Sequence, residues 1–264
     1  TIGCRQTGID TLTLHAMAQI FPLSEGAFTV GYDKRFIPFD LEKDVLTDRS
    51  TGSLLVEVQP FLVVTAKDVI VFDSGLGFHN KDGVLQIHEN IRQHGYEPSH
   101  VTKVLMSHLH KDHASGMTYT TDNGVINTTF PNADYYIYRP EAEYALQHTG
   151  SSYIASEIEP ILSTPQVKWL DGEEGDIDGY IHFTHSGGHC PQHIVFLIND
   201  GGDKVFYGGD EAPQLKQVKM KYIAKYDNDG KKAMELRAQY LEQGKLEGWQ
   251  FLFYHDIKSP TATF

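Results

Sequence analysis

The sequence predicts an α/β fold. Strand-length runs of apolar and β-branched residues recur along its 264 residues. Several are unbroken by polar positions, as strands covered on both faces are. Helical patterns separate many of these runs, the alternation that builds layered sheets and helices. The runs before Asp73, His108, Asp210 and His255 lead into a carboxylate or an imidazole. Donors gathered at the strand ends along one sheet edge mark a common place for a site.

Residues 12–15 and 27–30 read as short strands. Pro22, Gly26, Pro38 and a charged stretch from Asp40 to Asp48 surround them, so residues 1 to about 50 read as an N-terminal extension over a cleft or a partner subunit. Phe21, Phe28, Tyr32, Phe36 and Phe39 carry more aromatic surface than a free tail exposes. Residues 53–59, 61–65 and 69–72 are successive strands, split by Pro60 and a Lys67-Asp68 turn. Asp73 opens a glycine-bearing turn. Residues 84–94 form a helix that Gly95 stops. Residues 101–106 are a buried strand that runs into a histidine-rich loop, and Gly116 lets the backbone turn over that loop. Residues 134–138 are a strand. Residues 140–146 are a helix with Pro140 in its first turn and acids near its positive end. Residues 151–161 are a second, shorter helix, and 167–170 a strand.

Residues 194–198 and 205–207 flank Asn199-Asp200-Gly201-Gly202-Asp203, a hairpin signal. A hairpin sets the start of one strand beside the end of the other, so His189 and Asp210 should meet. Residues 231–243 place Ala233, Leu236, Tyr240 and Leu241 on one helical face, with Gly244 as the stop and the many Lys and Glu side chains as a solvated face. Residues 249–254 are a buried strand that ends at His255-Asp256.

Composition bounds the function. The chain is 40% hydrophobic and 22% charged, ordinary for a soluble globular protein, and no repeat or linker divides it, so a single domain over residues 1–264 is expected. A net charge of −13 argues against a nucleic-acid substrate, because phosphate binding needs a basic face. Cys4 and Cys190 give no disulfide framework, which fits a reducing, cytoplasmic setting. No signal-like segment and no apolar run of membrane-spanning length is present. The chain begins at Thr1, so a processed N-terminus is an open expectation.

The densest group of donors is Ser107-His108-Leu109-His110-Lys111-Asp112-His113. Imidazole nitrogen and carboxylate oxygen suit zinc, and also iron or manganese. His108 and His110 alternate as strand neighbours do, so both can face one ion. Asp112 and His113 lie past the bend and can reach a second. Cys190 reads as a small buried residue.

His108-x-His110-x-Asp112-His113, Gly188-His189, Gly209-Asp210 and Tyr254-His255, in this order, resemble the metallo-β-lactamase-fold hydrolases. The resemblance runs from about Leu54 to Asp256. It implies an αβ/βα four-layer sandwich: two sheets face to face, with helices outside. It implies that His108, His110 and His189 bind one divalent metal ion, that Asp112, His113 and His255 bind another, and that Asp210 bridges. Zinc is the first expectation, with manganese and iron as alternatives. Asp73 and His193 would sit behind the ligands and orient them. A metal-bound hydroxide would attack an ester, lactone or phosphotriester, with Asp112 or Asp210 passing the proton to the leaving group.

The Gly188-His189-Cys190-Pro191-Gln192-His193 run and the spacing from Asp210 to His255 resemble the acyl-homoserine lactonases and the related phosphotriesterase-like hydrolases. One departure is Pro213, where those lactonases often carry a tyrosine. The expected substrate is a small hydrophobic ester or lactone, with no nucleic acid or membrane as partner and a homodimer as one possible assembly. Two alternatives are a metal-binding or regulatory protein without turnover on the same fold, and a glyoxalase II-like thioesterase.

Overall fold

The computed structural model describes residues 18–264. The strand expected at residues 12–15, and Cys4, lie outside the described residues. In chain order the first strands are β1 (Gln19–Pro22), β2 (Gly26–Val30), β3 (Phe36–Pro38), β4 (Leu54–Val58), β5 (Phe61–Val64), β6 (Val69–Phe72), β7 (Lys103–Leu105), β8 (Thr118–Thr120), β9 (Ile126–Thr128), β10 (Asp134–Tyr138) and β11 (Val167–Leu170). After them come β12 (Glu174–Ile177), β13 (Ile181–His185), β14 (Ile194–Asp200), β15 (Asp203–Tyr207), β16 (Gln250–Leu252) and β17 (Thr261–Thr263). The helices are α1 (Gln86–Gln93), α2 (Lys111–Ala114), α3 (Arg139–Gln147), α4 (Ala155–Leu162), α5 (Leu215–Lys219) and α6 (Gly230–Glu247).

Two six-stranded sheets organise the molecule, in the orders β1-β5-β6-β7-β10-β11 and β12-β13-β14-β15-β16-β17. A three-stranded sheet, β3-β2-β4, and the β8-β9 hairpin complete the set. Side chains alternate across each strand, and this sorts the apolar residues into three packed interfaces. Val71, Val104, Tyr135 and Ile137 leave the first sheet on one side and meet Ile87, Ile91, Ala142, Ala145, Ile158 and Ile161 of α1, α3 and α4. Ile70, Phe72 and Leu105 leave it on the other side and meet Ile194, Phe196, Ile198, Tyr207 and Leu252 of the second sheet. Val195, Phe206 and Phe251 point outward from the second sheet onto Val218 of α5 and Tyr240 and Leu241 of α6. Three interfaces separate four layers, helix–sheet–sheet–helix, which is the αβ/βα sandwich. No described helix is long and apolar enough to cross a membrane.

The donor-bearing strand ends lie on two sheets rather than along one sheet edge. β6 and β7 run parallel in the first sheet, and β15 and β16 run parallel in the second. Parallel neighbours deliver their C-terminal ends to the same side. Asp73 and His108 therefore emerge together from one sheet, and Asp210 and His255 from the other.

The structure departs from the sequence reading at several elements, among them strands β3, β8, β9, β12 and β13, which that reading does not include. The helix expected over residues 151–161 begins only at Ala155. Residues 151–153 instead line a cavity. Gly244 does not stop α6, which runs on to Glu247 and is closed by Gly248 at φ +70°. Gly244 is required by packing: a Cβ there would lie 2.4 Å from the Phe251 ring. Thr261–Thr263, a stretch without a strand signal of its own, adds an edge strand against β16.

β1 pairs with β5 and so belongs to the first sheet. The loop after β1 carries Glu25, only 5% exposed. Its Oε2 accepts the Leu76 N–H at 2.6 Å, and its Oε1 is buried without a partner. Burial pushes this carboxyl up to about 8, against the hydrogen bonds from Leu76 and Gly77. The folded state keeps its proton while the unfolded chain loses it near pH 4.5. Between about pH 4.5 and 8 the folded state therefore binds more protons, and stability falls as pH rises. Glu25→Gln removes that dependence. It is expected to add roughly 2–4 kcal/mol at pH 8 and little at pH 4.5. Denaturant melts at both pH values check this; an equal effect at both would refute it.

Candidate metal centre

β7 ends at Leu105, and the chain passes Met106 and Ser107 before His108. Asp73, fully buried at φ +53°, reaches across from the neighbouring strand end. Its Oδ1 accepts the Ser107 N–H and its Oδ2 the Ser107 hydroxyl, both at 2.7 Å. These bonds hold the start of the histidine loop. Glu141 holds its middle: this buried carboxylate accepts the Leu109 N–H at 2.9 Å, between the two histidines. α2 then presents Asp112 and His113. Gly116, just beyond, allows the turn, because a Cβ there would lie 1.9 Å from the Ser74 carbonyl oxygen.

The side chains form two groups. His108 Nε2 lies 3.0 Å from His110 Nδ1, and His189 Nε2 lies 3.2 Å from that same nitrogen. Three imidazole nitrogens this close suit one shared cation. In the second group, His255 Nε2 and Asp112 Oδ2 are 3.4 Å apart, and His113 Nε2 lies 3.7 Å from the same oxygen. Asp210 stands between the groups. Its Oδ2 lies 3.3 Å from His189 Nε2, and its Oδ1 lies 3.0 and 3.2 Å from His255 and His113 Nε2. The expected meeting of His189 and Asp210 across the hairpin is therefore present.

The donor set fits divalent cations. His113 Nε2 and Asp210 Oδ1 are buried, yet neither makes a hydrogen bond. Burial drives His108 and His110 well below the ordinary imidazole range, leaving their lone pairs free. Burial also pulls on His113, but Asp210, Asp112 and Asp73 outweigh it and raise that imidazole well above its usual value. The surroundings of His113 thus favour positive charge, which a metal ion supplies without a proton.

The family model of the Metallo-beta-lactamase superfamily matches residues 55–253. The chain belongs to this superfamily. An N-acyl homoserine lactonase AttM of Agrobacterium fabrum is 32% identical over 120 residues, 42% of this chain and 40% of that protein. An N-acyl homoserine lactonase of Bacillus sp is 32% identical over 108 residues, 41% of this chain and 37% of that protein. These matches span about 40% of the relatives' length. A probable metal-dependent hydrolase from Staphylococcus aureus has a TM-score of 0.75 at 20% identity, covering 94% of this chain and 93% of the other. The dizinc quorum-quenching lactonase AidC has a TM-score of 0.71 at 17% identity, covering 94% and 91%. At these identities the structural likeness establishes the fold.

In this superfamily member most of the site histidines have their second ring nitrogen occupied. His113 Nδ1 meets Asp73 Oδ2 at 2.7 Å, and His108 Nδ1 meets the Ser107 hydroxyl at 3.0 Å. His255 Nδ1 donates to the Glu57 carbonyl at 2.6 Å. A carbonyl only accepts, so the Nε2 of His255 is left with its lone pair toward the site in the neutral ring. His193 stands behind Asp210: its Nε2 accepts the Asp210 N–H at 3.1 Å, so its Nδ1 carries the hydrogen toward Ser186 Oγ at 2.9 Å.

Sequence reasoning misses Asp227. Its carboxylate is fully buried, meets His189 Nδ1 at 3.1 Å and accepts from Arg237 at 2.6 Å. Arg237 itself is 1% exposed, on a helix whose Lys and Glu side chains read in sequence as a solvated face. Glu141 reads in sequence only as an acid at a helix start; burial pushes it up to about 7. Cys190 is 3% exposed with its Sγ 3.8 Å from Glu141, and burial pushes its thiol well up, as a packing residue rather than a thiolate requires.

A cavity of about 670 Å³ opens over the donors. Val30, Phe36, Leu54 and Val56 of the β2-β3-β4 sheet form one apolar wall, with Met220 and Tyr226 among the other lining residues. The aromatic residues of the N-terminal stretch divide. Phe36 faces the cavity with Phe28 against it at 6.0 Å, whereas Phe21 stacks on His94 at 4.6 Å and Tyr32 is 91% exposed.

Proposed function

We propose that the chain is a metal-dependent hydrolase of small hydrophobic esters or lactones, with phosphotriesters as the neighbouring class. One observation carries this: the two oxygens of Asp210 face different histidine groups, one toward His189 and the other toward His113 and His255. His108, His110 and His189 would hold one divalent ion, Asp112, His113 and His255 a second, and Asp210 both. Zinc suits the donor set best, with manganese and iron next. When bound, such a pair supplies Lewis acidity and brings the ionisation of water near neutral pH.

The chain's own residues do the rest. The outer contacts of Asp73, Ser107, Asp227 and the Glu57 carbonyl fix ring orientation, which sets affinity for the ions. The apolar wall from Val30 to Val56 binds the acyl or aryl part and excludes water around the reacting group, where electrostatic interactions then act more strongly. Asp112 or Asp210 would take the proton from the attacking water and return it to the leaving oxygen, a role supported by the place of both side chains in the cavity lining. We further propose that residues 1–264 act as one domain.

The reading is tested on protein loaded with zinc or manganese. Elemental analysis should approach two ions per chain. Hydrolysis of p-nitrophenyl esters, aliphatic lactones and a phosphotriester should vanish with chelator and return with metal. Two tightly held ions without turnover on this panel would instead favour a binding or regulatory protein, and turnover confined to thioesters would favour the glyoxalase-like alternative.

A further inference from the structure

We propose that Tyr226 donates a hydrogen bond to the oxygen of the substrate's scissile carbonyl or phosphoryl group, its proton left free by a relay that begins at the backbone of His255. The inference rests on the hydrolase reading above.

The relay has a fixed polarity. The His255 carbonyl can only accept, so Gln214 turns Nε2 toward it, at 3.0 Å. Gln214 thereby presents its Oε1, which accepts from Gln217 Nε2 at 3.1 Å. The second hydrogen on Gln217 Nε2 goes to the Tyr226 hydroxyl at 2.7 Å. Flipping either amide would set oxygen against oxygen at one of these links. Tyr226 oxygen is therefore an acceptor in its bond to Gln217, and the relay leaves its hydrogen unused. Among the described residues no side chain or carbonyl takes that hydrogen.

The free hydrogen belongs to a side chain of the cavity. Tyr226 and Gln217 line the same space as His110, Asp112, His189, Asp210 and His255. The Tyr226 ring lies 6.0 Å from the His189 ring. The next residue, Asp227, is pinned between Arg237 and His189, so the backbone under the ring is anchored to the site. Burial raises the phenol well above its ordinary value, so it stays protonated. A donor held in place before substrate arrives binds an oxygen more strongly as negative charge develops on it. Its effect thus belongs to the transition state rather than to ground-state binding.

The test compares the parent with Tyr226→Phe and Gln217→Glu on p-nitrophenyl acetate and δ-valerolactone, each variant loaded with zinc. Tyr226→Phe is expected to lower kcat by about 10²-fold, with KM changed less than about threefold and with metal content and Tm at parental values. Gln217→Glu keeps the tyrosine but places only acceptors beside it, so the phenol turns toward the carboxylate and kcat falls by a similar factor. A Tyr226→Phe enzyme with parental kcat, or one whose loss lies wholly in KM or Tm, overturns the donor role. If the parent turns over nothing on these two substrates or on a phosphotriester, the hydrolase reading fails and this inference goes with it; parental turnover with an unaffected Tyr226→Phe sinks the inference alone.

Discussion

Asp210→Ala is expected to remove two-ion binding and to cut turnover by at least about 10³-fold, well beyond the effect of Asp73→Ala. The contrast follows from where each carboxylate stands. Asp210 contacts histidines of both groups, at distances of 3.0 to 3.3 Å. Burial opposes its charge, yet His255, His113 and His189 together hold it well below the ordinary carboxylate range. Alanine there leaves the two donor groups without a shared side chain and removes the carboxylate that His113, His189 and His255 have in common. Asp73 touches the far side of His113, the Ser107 backbone and hydroxyl, and the Tyr207 hydroxyl. Loss of such an outer contact typically costs about 10–100-fold in metal affinity or activity. Metal titration by calorimetry and kinetics at saturating zinc read both quantities. Two ions retained by Asp210→Ala, or equal losses in the two variants, would count against the bridging role.

Asp227→Ala should destabilise the protein by roughly 3–5 kcal/mol, the usual cost of stranding one partner of a buried ion pair. Arg237 is 1% exposed, and its other contacts are the carbonyls of Glu211 and Tyr222. Without Asp227 its charge would remain buried with no counter-ion. The same change releases His189 Nδ1, so affinity for metal should fall as well. Asp227→Asn separates the two effects: it keeps an acceptor for Arg237 but removes the charge that His189 and Arg237 share. Denaturant unfolding of metal-free protein measures the first effect and metal titration the second. An alanine variant as stable as the parent would show that the pair contributes nothing.

The contrast between Asp210 and Asp227 shows what is legible in the sequence. Asp210, His108, His110, Asp112, His113, His189 and His255 come after apolar strands or beside a hairpin, so local pattern marks them, and the packing of the two sheets face to face brings them together. The sheet strands are legible for the same reason: Ile70, Val71 and Phe72 read as a strand whichever layer covers them. Asp227 lies within Tyr226-Asp227-Asn228-Asp229-Gly230, a polar stretch just ahead of α6 whose cap is Asp229, with no apolar strand or hairpin beside it to mark a buried acid. Only the packing of α6 against the second sheet turns Arg237 inward and gives Asp227 its partner. Glu25 and Glu141 are hidden likewise, because their burial depends on loops far away in the chain. Gly244 misleads because a glycine near a helix end signals a stop, whereas here the nearby Phe251 ring leaves no room for a Cβ.

The two sheets contribute to the donor set almost evenly. Residues 108–113 come after a strand of the first sheet, and His189, Asp210 and His255 come from the second. Ions held between them would act as a cross-link over the seam of the sandwich, with the free-metal concentration setting its strength. Ligand binding stabilises a fold by RT ln(1 + [L]/Kd), so every tenfold rise in free metal above the dissociation constant adds about 1.4 kcal/mol per ion. Loss of metal would then weaken the fold as well as the site, so the metal-free protein is expected to unfold at lower denaturant than the zinc-loaded one.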